Sequence, residues 1–193
     1  MNFFNLINFK EVISVTLILF SVIDILGTIP FVIDLKKKYG NIDGLKITLI
    51  SGVLLFAFLY IGESILALFG VDVQSFAIAG GLIMFFLGLE MVLDIVLFKQ
   101  SHEVGLTSPI IPLAFPLIAG AGTMTTLISL NSVYSRINII LGILLNLIFV
   151  YMVLKSANFI DRKLGVTGSV ILRKFFGTIL LAMAIKLIRT NLI

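Results

Sequence analysis

A short element recurs in the middle of two apolar runs of this chain: Leu26, Gly27, Thr28, Ile29, Pro30, and then Ala121, Gly122, Thr123, Met124, Thr125. Glycine, threonine and proline loosen a helix. In a lipid interior that loosening is tolerated only where protein or a water-filled cavity takes up the freed backbone groups. The lipid setting follows from composition, since 193 residues with 60% hydrophobic and 12% charged side chains and a mean hydropathy of +1.20 have too little polar surface for a soluble domain. This pattern reads as an integral membrane protein. Cysteine is absent, which excludes disulfides, thiolate metal sites and cysteine nucleophiles. The net charge of +4 is carried largely by lysines near the ends of apolar runs, an arrangement suited to lipid headgroups rather than nucleic acid.

A membrane-spanning helix needs about 20 mostly apolar residues. The sequence offers six such runs, near 11–35, 45–69, 73–98, 109–130, 137–154 and 169–188, so an all-α polytopic fold is expected. Gly27 to Gly122 and Thr28 to Thr123 are offset by 95 residues, and Gly81 to Gly177 and Glu90 to Lys186 by 96. A near-constant offset points to a duplicated unit of three spans, 1–98 and 109–193, joined by a polar connector at 99–108. Because three is odd, the halves insert with opposite orientation, and the breaks then fall in the first and fourth spans. Lysine and arginine crowd the loops after the first, third and fifth spans, including Lys36, Lys37, Lys38, Lys99, Lys155, Arg162 and Lys163. By the positive-inside rule those loops are cytoplasmic and both termini lie outside.

Each break reads as the start of a half-helix near mid-membrane. Thr28 suits an N-cap, Pro30 suits a first turn, and Ile29 before proline is biased away from helical angles. Thr123, Thr125 and Thr126 can serve the second break likewise, with Gly120 and Gly122 admitting a ligand close to the backbone. The amides of a half-helix N-terminus, carrying about +0.5 charge, suit a carboxylate. Small residues around them leave room for a small side chain only. The expected substrate-binding set is therefore Gly27, Thr28, Pro30, Gly120, Gly122, Thr123, Thr125 and Thr126.

Intramembrane charge is costly, about 2.5–3.5 kcal/mol at a helix centre, and so marks function. Asp24, on one helical face with Ser14 and Ser21, is the leading candidate for proton coupling or polar lining, and Glu90 is the second. Glu63 and Asp94 lie close enough to span ends to reach interfacial water. His102, the sole histidine, sits in the connector without a second ligand and reads as a solvated loop residue, so neither a metal site nor a cofactor is expected. Gly80, Gly81, Ala77, Gly177, Ala182 and Ala184 read as faces for close helix packing.

The stretch Ser21 to Pro30, the run Gly62-Glu63 through Phe69-Gly70 to Gly80-Gly81, and Pro112 to Pro116 followed by Gly120 and Gly122 resemble the MarC family, also called the neutral amino acid transporter family. The resemblance covers nearly the whole chain. It implies a prokaryotic inner-membrane carrier that moves small neutral amino acids such as glycine and alanine, coupled to the proton gradient. Two departures stand out: Ile25 and Ala121 occupy positions where the family usually has proline, and Thr28 one where it usually has asparagine. Lys186 replaces a residue that is more often neutral. The resulting expectation is a secondary transporter working by alternating access, with a small neutral amino acid, protons and membrane lipids as partners and homo-oligomerisation left open. A cation or metal-ion carrier or channel using Asp24, Glu63, Glu90 and Asp94 is the alternative. An enzyme is not expected, because no serine–histidine or paired-histidine pattern is present.

Overall fold

The computed structural model describes residues 7–23, 25, 27–40, 42–95 and 112–192. Those residues are almost entirely helical, with no strand among them. Helix α1 covers Phe9–Ile23, α2 Ile29–Tyr39, α3 Gly44–Leu68 and α4 Val73–Leu93. After 96–111, a π-helical turn, α5, covers Leu113–Ile118, followed by α6 over Ala121–Val133 and α7 over Arg136–Leu192. The connector with His102, and Asp24 beside the first break, lie outside the described residues.

The helices are sorted by what faces outward. On α3, Leu45, Leu49 and Val53 repeat every four residues and are exposed, whereas Thr48, Ser51, Gly52, Leu55 and Gly62 are buried. Apolar residues out and small or hydroxylated ones in is the polarity that lipid selects, and Leu68 at 82% exposure would be costly in water. Among the described residues, four helical stretches are long and apolar enough to cross a membrane: Gly44–Leu68, Val73–Leu93, Leu113–Val133 and Arg136–Ala157. Helices α1 and α2, of 15 and 11 residues, rise about 22 and 16 Å and only together match the ~30 Å hydrocarbon core.

The turns obey local chemistry. Asp43 accepts a hydrogen bond from the Lys46 amide (3.1 Å) at the start of α3, and Asp72 one from the Ser75 amide (2.6 Å) at the start of α4. Gly70, at φ +65°, supplies the left-handed residue that closes α3.

The fifth and sixth expected spans are not separated by a loop. Helical residues continue through all 57 positions of α7, and 136–192 contain no proline. Its packing nonetheless divides in two. Gly142 lies against Val15 and Thr16 of α1, while Leu187 lies with Val22 around Gly122. Val15 and Val22 are about 10 Å apart along α1, but a straight helix would carry Gly142 and Leu187 about 67 Å apart. Helix α7 therefore turns back within its length, between Leu154, which meets Gly44, and Gly177, which meets Met91. Its first part runs alongside α1, with Asn138 Nδ2 donating to Glu11 Oε2 (2.6 Å) and Asn146 Nδ2 to the Thr16 carbonyl (3.1 Å). Its second part runs antiparallel to α4, with Gly81 against Ala184 and Ile188, Gly88 against Leu181, and Gly177 against Met91 and Val92. The small-residue faces read from Gly81, Gly177 and Ala184 are thus helix contacts.

Candidate solute-binding site

Both sequence breaks are real breaks in the helices. The first lies between Ile23 and Ile29, and Pro30 occupies the first turn of α2. Thr28 stands at the N-cap position but does not cap: its dihedrals are helical (φ −81°, ψ −11°) and its hydroxyl donates to the Ile25 carbonyl (2.7 Å) instead of accepting an amide. A hydroxyl oriented back to i−3 serves the carbonyl freed at the end of the preceding turn, which corrects the capping role expected of it. The surroundings are closed, with Ile25, Gly27, Thr28, Ile29 and Pro30 all buried.

The second break is built differently. In α5 the Ala119 amide donates to Ala114 (2.9 Å), five residues back, and Phe115 holds an extended conformation before Pro116. Gly120, extended at ψ −175°, is the N-cap of α6. A Cβ on Gly120 would collide with the Pro116 carbonyl oxygen, so only glycine lets the chain pass there. The first hydrogen bond of α6 runs from the Met124 amide to the Gly120 carbonyl (3.0 Å), which leaves the preceding amides outside the helical ladder. The threonines again donate rather than cap. Thr123 bonds the Gly120 carbonyl (2.8 Å), and Thr125 and Thr126 both bond the Gly122 carbonyl (3.0 and 2.7 Å). Ala121, at a position where proline was expected, sets its methyl against Gly80 of α4, where a second Cβ would not fit.

The breaks approach each other where the last turn of α1 meets the first turn of α6: a Cβ on Gly122 would touch Val22 at 3.4 Å and Leu187 at 3.6 Å. From this point a cavity of about 710 Å³ extends between α1, α4, α6 and the second part of α7. On α6 its wall is Gly122, Thr125, Thr126 and Ser129, at spacings of three, four and seven residues, which is one helical face. Ser21 faces it from α1, and Lys186, Thr190 and Asn191 from α7. Along α6 the lining reaches Leu130, about 12 Å beyond Gly122, so the cavity lies on one side of the breaks.

Of the expected substrate-binding residues, Gly122, Thr125 and Thr126 line this cavity. Gly27, Thr28, Pro30, Gly120 and Thr123 do not; they are buried and shape the two breaks. The volume falls within the ~300–1,000 Å³ of ordinary small-molecule sites, space left beside the break by three neighbouring helices. Ser129, Thr190 and Asn191 were not singled out from the sequence, although the spacing of Ser129 from Gly122 placed it on the same face.

The remaining charges separate. Arg173 of α7 donates to the Glu90 carbonyl (3.4 Å) and pairs with Asp94 (3.1 Å), which Lys174 also approaches (3.7 Å). Asp94, expected to reach interfacial water, is exposed and also fastens α4 to α7, and its left-handed backbone (φ 56°) ends α4 there. Glu90 belongs to this cluster. Lys186 lies about 20 Å farther along α7, at the cavity. Glu63 is exposed on α3.

The chain matches the model of the MarC family of integral membrane proteins over residues 9–193. It is 33% identical over 179 residues to a UPF0056 membrane protein of Pyrococcus abyssi, covering 88% of each chain. It is 30% identical over 188 residues to one of Methanocaldococcus jannaschii, covering 88% of this chain and 90% of that one. With a UPF0056 inner membrane protein of Escherichia coli, YhgN, the identity is 28% over 185 residues, covering 92% and 94%. No solved structure matches the chain.

Proposed function

This chain belongs to the MarC family of integral membrane proteins, and on that footing we propose that it is a secondary transporter moving small neutral amino acids across a prokaryotic inner membrane by alternating access. The observation that carries the reading is the hydroxyl-lined cavity that opens on one side of the helix breaks at Gly122 and Val22. Solute sites of secondary transporters typically sit where interrupted helices meet. A one-sided cavity is what a carrier at rest in one of its two access states needs. On the side away from it, Asp94 with Arg173 and Lys174 closes the end of α4 against α7. Release of that cluster, with α4 sliding on the glycine face of α7, is the motion we assign to the change of access.

In this reading the six spans form two inverted three-helix repeats, the turned-back α7 supplies the last two, and both termini lie outside the cytoplasm. Protons are the coupling ion, and Asp24 their carrier. The cation-carrier alternative is weaker, because the charged side chain among the described lining residues is a lysine. Purified protein in liposomes should take up labelled glycine or alanine when a proton gradient is imposed. Absence of flux under either gradient polarity would remove the amino-acid assignment.

A further inference from the structure

We infer that Lys186 is the carboxylate anchor of the cavity, and that a carboxylate is the group a solute must carry to bind there. The inference rests on the cavity being the solute site. Among the described residues lining it, Lys186 is the single charged side chain, and among the described residues no carboxylate pairs with it. Its ammonium offers three donors and no acceptor.

The hydroxyls opposite have the reverse character. Thr125 and Thr126 each spend their only proton on the Gly122 carbonyl, so toward the cavity they can only accept. Asn191 gives one Nδ2 proton to the Leu187 carbonyl (2.8 Å) and keeps its Oδ1 as an acceptor beside a second N–H. The cavity thus has a cationic donor on the α7 wall and acceptors on the α6 wall. An α-amino acid fits with its carboxylate on Lys186 and its ammonium toward Thr125 and Thr126. That is the opposite of placing the carboxylate on the N-terminus of α6, the arrangement expected from the sequence. It also explains how a lysine is accommodated in the last apolar run: the cavity gives it water or an anion in place of lipid.

The ranking of ligands follows. Alanine satisfies both walls, propionate keeps the carboxylate alone, and alaninamide keeps the ammonium alone. Thermal unfolding of the detergent-purified protein, titrated with each of the three, reads the affinities. Alanine and propionate should raise the melting temperature of the unaltered protein and alaninamide should not. Lys186→Gln should weaken alanine about ten-fold or more, Lys186→Arg should keep most of the affinity, and the ligand-free melting temperature of both variants should stay near that of the parent. If alanine binds Lys186→Gln as tightly as the parent, the anchor is wrong while the amino-acid reading stands. Binding of propionate but not alanine, abolished in Lys186→Gln, would keep the anchor and remove the amino-acid reading. If neither binds the unaltered protein, both fall.

Discussion

The two breaks occupy equivalent places in the chain yet solve the same problem in different ways. At the first, α1 stops and α2 restarts on a proline, Thr28 gives its proton to the Ile25 carbonyl, and the described residues of the segment are buried, Thr28 to only 2% exposure. At the second, a π-helical turn and an extended glycine carry the chain past the Pro116 carbonyl, and the face of α6 that follows is hydroxylated and open. The contrast shows that a helix interruption is not by itself a binding site. Burial separates two similar interruptions here into a structural joint and a cavity wall.

Substitutions can break this comparison or sharpen it. The largest effect is expected at Gly120. Any side chain there meets the Pro116 carbonyl, so Gly120→Val should lose folded protein in detergent, measured by monodispersity on gel filtration, and should abolish uptake. Gly122→Leu should act on function instead, because space remains for a Cβ but the rest of the side chain fills the junction of Val22 and Leu187. Uptake should then fall at least ten-fold while the protein still inserts and elutes as the parent does.

Next come the threonines, which separate the breaks most directly. Thr28→Val should cost about 1–3 kcal/mol of stability by leaving the buried Ile25 carbonyl unpaired, without changing the KM for uptake. Thr126→Val should raise KM several-fold at little cost in stability, since the Gly122 carbonyl sits at a helix start beside the cavity and Thr125 also donates to it. Equal KM effects at both sites would erase the distinction.

The smallest effect belongs to the turn that joins α3 to α4. The Ser75 amide, and then its hydroxyl, hold the exposed Asp72 carboxyl below its ordinary value of 3.8. A depressed folded-state value means that the contribution is complete above the ordinary value and is lost as pH falls through the lower one. Hydrogen exchange at the Ser75 amide should therefore quicken on acidification below about pH 3.8, after correction for intrinsic rates, and Asp72→Asn should flatten that dependence.

Much of this was legible in the sequence because glycine and proline act locally. Gly27, Pro30, Gly120 and Gly122 marked both interruptions, and the apolar runs marked the helices that α3, α4 and α6 became. What stayed hidden depends on local backbone geometry and on partners distant in the chain. The hydroxyls of Thr28, Thr125 and Thr126 looked like caps, but a threonine can accept an amide or donate to a carbonyl, and the backbone dihedrals that choose between these are not set by residue type. The turn of α7 was hidden for the opposite reason: 136–192 hold no proline to mark it, and packing against distant helices redirects the chain. Asp94 gave no local sign that Arg173 would meet it, and the face of α6 became a cavity wall only because α1, α4 and α7 leave room beside it.

The chain has no cysteine, so single cysteines can report water access without background. The most direct test places one at Thr126, one at Ser129 and one at Thr28, and measures labelling by a membrane-impermeant thiol reagent with and without alanine. Labelling at 126 and 129 that alanine suppresses, with position 28 unreactive throughout, is the result expected of a solute site at the second break. An alanine-protected cysteine at 28 beside inert ones at 126 and 129 would place the solute at the first break and contradict the division between joint and cavity wall.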